Sequence, residues 1–446
     1  MYIVVIGLGE VGKHLLGVLD REGHDVVAVD ASASAVRHAE DHYDVMSLVG
    51  YGASQEILDK AGVRTSDLVV AVTDHDEVNL IAALAAKQLG AKRVIARAQG
   101  DEWAQWTEGV RYGLLGVDVV INPRVLVAQE FAKIARSHGA SHVVDLAQDR
   151  IELVQLDLCS PRMTNRPLSK IDMPEQTLIA AVVRDGELFV PGGADVLLEG
   201  DRIYLIGKPG EVMNAEDHFS TRREARRVVI VGGGVVGYAL ARDLTAQNAQ
   251  VLLIEQSLAR AEKLSAELDG ITVVHGDGTD RALLEEEEVG TYDLFIAVTN
   301  LDEVNLMASL IAQRIGVSRT AALVQRADHI PIYRELGIEI ALSPRSVASD
   351  HILRFSRTGQ VHSLSVLEDG QAEVVELTAV AGCRAIATPL RRLNLPRGAL
   401  LAAICRQDSV RIPHGNDEVQ PGDRVILLAT QSARPTVERL FRAREQ

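Results

Sequence analysis

Gly7-Leu8-Gly9-Glu10-Val11-Gly12 sets three glycines in G-x-G-x-x-G spacing, directly after the apolar run Ile3 to Ile6 and at the start of a helical pattern. Such a loop brings bare backbone N–H groups to a helix N-terminus, which suits a pyrophosphate. Asp30 ends the next apolar run, 18 residues beyond Gly12. A carboxylate there accepts both hydroxyls of a ribose and repels a 2′-phosphate. A second set, Gly232-Gly233-Gly234-Val235-Val236-Gly237 with Glu255, carries equivalent chemistry. Strand, helix and acid in register point to a dinucleotide or another adenine nucleotide. Gly7 to Lys13 also opens like a G-x-x-x-x-G-K phosphate loop. His14 stands where a magnesium-binding Ser or Thr is needed, however, and Tyr238 replaces the lysine in the second copy, so that reading is set aside.

AVTDHDEVN, from Ala71 to Asn79, returns as AVTNLDEVN, from Ala297 to Asn305, offset by 226 positions. Thr73 and Thr299 close the fourth expected strand of each half, at the carboxyl edge that faces the crevice in parallel α/β folds. Thr73-x-x-Asp76 and Thr299-x-x-Asp302 fit a capping-box-like pattern. Capping does not require Glu77, Val78 and Asn79 to recur as Glu303, Val304 and Asn305, so a double role is expected: helix cap and nucleotide border. Arg97 in IARAQ and Arg326 in VQRAD are read as a pair ending the following strand. A guanidinium there either reaches ligand phosphates or makes a surface ion pair. His138 and His142 lack a third ligand and read as a solvated helix end, and Glu285 to Glu288 as an exposed acidic run. No segment offers an evident proton donor beside a hydride-transfer position.

The elements that must position these residues repeat as well. Strands are expected near 2–6, 25–29, 45–49, 67–72, 93–97 and 117–121, alternating with helices, which makes a doubly wound parallel sheet the natural fold. VINPRV and ALSPRSV place Pro123 and Pro344 at the start of amphipathic helices over 123–137 and 344–357. Such a helix either packs on a partner subunit or covers its own domain; both readings stand. SKIDMPEQTLIAAVVRDGELFVPGG pairs with RRLNLPRGALLAAICRQDSVRIPHG, and EGDRIYLIG with PGDRVILLA, in short strands punctuated by Pro, Gly and Asp. The order is therefore large α/β, small β-rich, large α/β, small β-rich, with STRREARR (Ser220 to Arg227) as linker. At 446 residues, two to four domains are expected. A net charge of −16 argues against nucleic acid. Three scattered cysteines (Cys159, Cys383, Cys405) argue against a disulfide framework or a thiolate metal site. Met1 to Val5 reads as a first strand rather than a leader. The longest uncharged apolar run, Val228 to Ala241, is 14 residues and too short to span a bilayer.

The ordered set GLGEVG with Asp30, GGGVVG with Glu255, the paired AVTxxDEVN segments, IARAQ and the two Pro…G-D-R units resembles the tandem RCK (KTN) family, regulators of potassium conductance. The resemblance covers essentially the whole chain. It implies two Rossmann-like N-lobes, each followed by a small β-rich α+β C-lobe. The implied ranges are 1–122, crossover helix 123–140, 141–217, linker 218–226, 227–343, crossover helix 344–359 and 360–446. It implies NAD or NADH as ligand, with ATP or ADP also possible, held by Gly7 to Val11, Asp30, Thr73, Asp74 and Arg97. The second site would use Gly232 to Val236, Glu255, Thr299, Asn300 and Arg326. GYG at Gly50 to Gly52 departs from the GDG of the second half, since Tyr51 replaces an acid, which leaves open whether both sites prefer the same nucleotide. Members similar to this chain are not enzymes. They form cytosolic rings, commonly four tandem chains, held to the inner face of the membrane by a potassium-translocating subunit of the TrkH or TrkG type. The alternatives are an NAD-dependent oxidoreductase with unrecognised catalytic residues, and a ligand-binding module for a non-channel partner.

Overall fold

The fold is that of a computed structural model, which describes residues 1–441 except 22, 101–108, 148, 149, 159, 161, 221–223, 357–360 and 408. Cys159, residues 221–223 of the Ser220–Arg227 linker, and residues 357–360 at the meeting of the last two expected ranges lie outside the described residues. The chain divides into two compact units, Met1–Ala132 with Arg226–Ser356, and Lys133–Ala225 with Arg357–Gln446. Strands are numbered along the chain.

The first unit holds both large α/β halves. Its first sheet contains β1 (Tyr2–Ile6), β2 (Asp25–Asp30), β3 (Met46–Val49), β4 (Leu68–Ala71), β5 (Val94–Arg97), β6 (Val110–Leu114) and β7 (Val117–Ile121). The order is β3-β2-β1-β4-β5-β7-β6. Alternation along the strands fills two layers: Ile3, Val5, Val26 and Ala28 face one core, and Val4, Ile6, Val27 and Val29 the other. Burial on both faces is what such Val/Ile-rich runs require. β6 is the strand the sequence reading lacks. It pairs antiparallel with β7 through a turn in which Leu115 (φ 52°) and Gly116 (φ 82°) are both left-handed.

The second half repeats the parallel order as β15-β14-β13-β16-β17-β18. These are β13 (Arg227–Val231), β14 (Gln250–Glu255), β15 (Thr272–His275), β16 (Leu294–Ala297), β17 (Arg319–Leu323) and β18 (Ile340–Leu342). The crossover helix Pro344–Ser356 follows neither expected course, a partner subunit or its own domain: it packs on the helix Glu10–Arg21 of the other half of the same chain. Its Ala348, Ile352 and Leu353 enter the core built by Leu15, Leu16 and Leu19, and Phe355 meets Tyr112 edge-on with ring centres 6.2 Å apart. Ile352 and Leu353 each contribute about 1.5–3 kcal/mol on burial. The two halves are thus joined by hydrophobic packing within one chain.

The second unit holds the small lobes, β8 (Ala140–Leu146), β9 (Ile151–Asp157), β10 (Thr177–Arg184), β11 (Glu187–Phe189) and β12 (Arg202–Gly207), then β19 (Val361–Leu367), β20 (Ala372–Thr378), β21 (Ala399–Arg406), β22 (Ser409–Arg411) and β23 (Arg424–Thr430). Their five-stranded sheets run β11-β10-β12-β9-β8 and β19-β20-β23-β21-β22. Val144, Ile151 and Ile206 share a core with Val374, Ala402 and Ile426. The repeated G-D-R has a structural cause. Buried Asp201 accepts Arg184 Nε (2.8 Å) and Nη2 (2.7 Å) and the Leu198 N–H (2.7 Å), stapling a turn to the end of β10. Asp423 does the same with Arg406 (2.8 and 2.7 Å) and the Gln420 N–H (2.8 Å). The His138/His142 pair does not form a helix end, because the preceding helix closes at Arg136. His138 Nδ1 lies 2.8 Å from Asp217 Oδ1, and His142 belongs to β8.

Candidate functional site

Both glycine loops are built for close backbone approach. Gly7 (φ 98°) passes so near the next strand that a Cβ on it would lie 2.6 Å from Thr73 N; a Cβ on Gly12 would lie 1.9 Å from Gly7 O. The second loop repeats this, with Gly232 at φ 100° and a Gly237 Cβ 1.9 Å from Gly232 O. Only a hydrogen side chain fits such positions. Around Gly234 there is open space.

The two acids are tied to their own loops. Asp30 Oδ2 accepts the Leu8 N–H (2.7 Å) and Oδ1 the Ser32 N–H (2.7 Å). Glu255 Oε2 accepts the Gly233 N–H (2.7 Å) and Oε1 the Ser257 N–H (2.8 Å). A carboxylate oxygen has a second lone pair, so each acid is positioned by the glycine loop and retains capacity for a sugar hydroxyl.

The duplicated AVTxxDEVN segment is a clamp rather than a capping box. The N-caps are His75 and Leu301, with no side-chain cap bond. Buried Asn79 instead accepts the Thr73 N–H and Oγ1–H (both 2.7 Å) and donates to Thr73 O (2.9 Å) and Arg97 O (3.0 Å). Asn305 makes the same four bonds to Thr299 and Leu323 O. Asp76 and Asp302 accept backbone N–H groups of the next loop, from Gln99 (2.8 Å) and Gln325 (2.7 Å). The Asn and Asp therefore lock strand end, helix start and following loop together, which explains why the whole string recurs.

Register through these bonds also corrects a pairing. Asn79 binds Arg97 O and Asn305 binds Leu323 O, so the counterpart of Arg97 is Leu323, and Arg326 lies three residues beyond. Arg326 turns outward and pairs with Asp328 (2.7 Å). Arg97 is buried, with Nη2 donating to Thr73 O (2.7 Å) and to Asp74 (3.2 Å), while its Nε has no hydrogen-bond partner. Burial pulls its pKa below the ordinary arginine value, with Asp74 opposing.

Both loops open on one cavity of about 930 Å³. From the first half it is lined by Gly9, Glu10, Val11, Asp74 and Arg97; from the second by Gly232, Gly234, Val235, Val236, Glu255, Thr299 and Asn300. Gly7, Leu8, Gly12, Asp30, Thr73, Gly233, Gly237 and Arg326, named from the sequence, stand off that lining and, Arg326 apart, build its frame. Tyr51 of GYG is exposed, whereas Asp277 of GDG lines the cavity. Three further arginines line it that sequence reasoning passed over. Arg124 and Arg345 follow the helix-starting prolines, and Arg260 donates from Nε to Gly233 O (2.6 Å). The repeated Pro-Arg of VINPRV and ALSPRSV is the sequence signal for the first two. Glycines that a Cβ would fill, an orphaned buried guanidinium N–H, and arginines around two helix N-termini fit a diphosphate-bearing nucleotide. Among the described residues no group of three or more His, Cys, Asp or Glu is placed to hold a metal, and no helix is long and apolar enough to cross a membrane.

Comparison with known proteins follows the same division of the chain. The TrkA-N domain family matches residues 3–123 and 228–344, and the TrkA-C domain family residues 159–220 and 374–442. A Trk system potassium uptake protein TrkA homolog of Archaeoglobus fulgidus is 34% identical over 443 residues, covering 99% of this chain and 100% of that protein. The Trk system potassium uptake protein TrkA of Vibrio alginolyticus is 31% identical over 452 residues, covering 99% of this chain and 98% of that protein. Among solved structures, the GsuK RCK domain superposes with a TM-score of 0.60 at 19% identity, covering 99% of this chain and 94% of that one. The GsuK channel bound to NAD gives a TM-score of 0.60 at 17% identity, covering 99% and 78%. At these identities the structural likeness speaks for the fold.

Proposed function

The chain belongs to the TrkA family of Trk-system potassium uptake proteins, and from that premise we propose that it is a non-catalytic, nucleotide-sensing subunit that gates a potassium-translocating membrane protein. The observation that carries this reading is the one cavity onto which both glycine loops open. A ligand in that cavity touches both halves at once, so its binding energy depends on how they are spaced. A ligand shifts a two-state assembly only through such differential affinity, and a coupling of about 1–3 kcal/mol suffices for a useful gate.

NADH or NAD is the favoured ligand, since Asp30 and Glu255 disfavour a 2′-phosphate; ATP and ADP share the adenosine and phosphate chemistry. The partner in this reading is a TrkH- or TrkG-type subunit, met on the cytoplasmic face by a ring of four tandem chains. Calorimetry with NADH on the wild type and on the Asp30→Ala/Glu255→Ala double variant tests the sites. Affinity should collapse in the variant, and unchanged binding overturns the assignment. Potassium flux through the cognate subunit in liposomes should change when this protein and NADH are added together. Flux indifferent to both overturns the gating role, and substrate-dependent NADH turnover at enzyme-like rates would favour an oxidoreductase instead.

A further inference from the structure

The two glycine loops meet the cavity with different charge. Between the copies Glu10 gives way to Val235, Asp74 to Asn300 and Arg97 to Leu323. Two acids and one cation are lost, and Asp277 lines the cavity where the first half has Tyr51, so the net charge at these four positions is equal and the difference lies in where the acids stand. Glu10 is the first residue of its helix. Its carboxylate therefore stands where the helix N-terminus would receive a phosphate, and like charges a few ångströms apart repel.

The crossover helices supply the other half of the difference. Arg345, second residue of one such helix, faces the opposite half's loop, with Nη1 4.0 Å from Glu10 Oε2. Lys13 lies 3.5 Å from the other oxygen of the same carboxylate. Arg124 holds the same place in the first crossover helix and lines the same cavity. Its N–H is fixed by the capping Asn122 (3.0 Å). Where Arg345 has Glu10, the loop opposite Arg124 offers Val235, and the Arg124 guanidinium has no hydrogen-bond or ion-pair partner among the described residues.

We propose that the two sites are unequal: the second loop takes the diphosphate tightly, with Arg124 of the first half as its phosphate ligand, and the first loop takes it weakly because the Glu10 carboxylate stands at its helix start and already pairs with Arg345. This rests on the nucleotide-sensing reading above. It makes Arg124 a specificity-determining residue and Glu10 an internal anion that a nucleotide must displace from Arg345. The second site fills first, and filling it ties the start of the first crossover helix to the second half.

Calorimetry of the full chain with NADH tests this. The wild type should show two classes, one equivalent per chain binding at least tenfold tighter than the other. Glu255→Ala should remove the tight class and Asp30→Ala the weak one. Arg124→Gln should weaken the tight class about tenfold and leave the weak one unchanged, and Glu10→Gln should strengthen the weak class. Equal classes, a tight class that survives Glu255→Ala, or an Arg124→Gln protein with wild-type isotherms overturns the proposal while leaving nucleotide sensing intact. No NADH binding to a folded wild type overturns both. Because Glu10→Gln is read as a gain, a folding defect cannot imitate it.

Discussion

Removing the Asn79 carboxamide tests the clamp directly. In Asn79→Ala, Thr73 Oγ1 can turn to His75 O, 3.3 Å away, and Thr73 O keeps the Arg97 Nη2 donor at 2.7 Å. The half-buried Thr73 N–H and the buried Arg97 carbonyl lose their partner. Two groups left unsatisfied, at about 1–3 kcal/mol each, put the cost near 3 kcal/mol. Asn305→Ala should cost about 1 kcal/mol more, because Leu323 supplies no guanidinium and Thr299 O is orphaned too. Amide exchange read by mass spectrometry on peptides covering 71–80 and 297–306 reports this locally, without assuming that a two-unit chain unfolds in one step. Opening 3 kcal/mol easier is about a hundredfold faster exchange in those peptides. Asn79→Leu restores the volume and none of the bonds. If it exchanges like the wild type, or if Asn79→Ala does, the hydrogen-bond reasoning is wrong.

Gly234→Ala should melt at the wild-type temperature yet bind NADH at least tenfold more weakly, because its Cβ enters open cavity space; Gly237→Ala should destabilise the fold, its Cβ meeting Gly232 O at 1.9 Å. Differential scanning calorimetry with NADH titration separates the two. Arg97→Gln should lower NADH affinity at the first site, whereas Arg326→Gln should leave affinity at both sites within about twofold, since Arg326 is exposed and held by Asp328. For the small lobes, burial pushes the Asp201 and Asp423 carboxyls up, but the Arg184 and Arg406 hydrogen bonds, backbone N–H groups and cation charge outweigh it and hold both below the ordinary range. A depressed folded pKa means that the stabilisation is complete above the unfolded value, about 3.9, and is lost as pH falls through the folded one. Melting of the small lobes should therefore weaken below about pH 4, and Asp201→Asn with Asp423→Asn should flatten that acid limb.

What the sequence made legible was local. Glycine spacing, acid position, β-branched runs and turn residues each act within some twenty residues, and from them the doubly wound sheets, the small β-rich lobes and both glycine loops could be read. β6 escaped because Arg111, Tyr112 and Gly113 break any apolar alternation, and an edge strand needs only one neighbour. The Arg97–Arg326 pairing failed because it matched letters, IARAQ with VQRAD, while the chain keeps register through Asn79 and Asn305 to the carbonyls of residues 97 and 323. An amphipathic pattern tells that a helix buries a face, not what it buries it against. That is why the docking of Pro344–Ser356 on the opposite half, with Phe355 beside Tyr112, is not legible in its sequence pattern.

Internal repetition separates two kinds of residue in this chain. Those that hold the frame are the same in both copies: the loop glycines, Asn79 with Asn305, and Asp76 with Asp302. Those that differ face the cavity: Glu10 against Val235, Asp74 against Asn300, Arg97 against Leu323. Two identical subunits meeting across a cavity must change both sites with every substitution, since one gene position serves both. A tandem chain whose crossover helix packs onto its own other half is free of that constraint, so its sites can diverge without disturbing the joint. With unequal sites, occupancy rises in two stages as nucleotide concentration climbs, and the spacing of the halves has three states to report, empty, half-filled and full, instead of a single threshold.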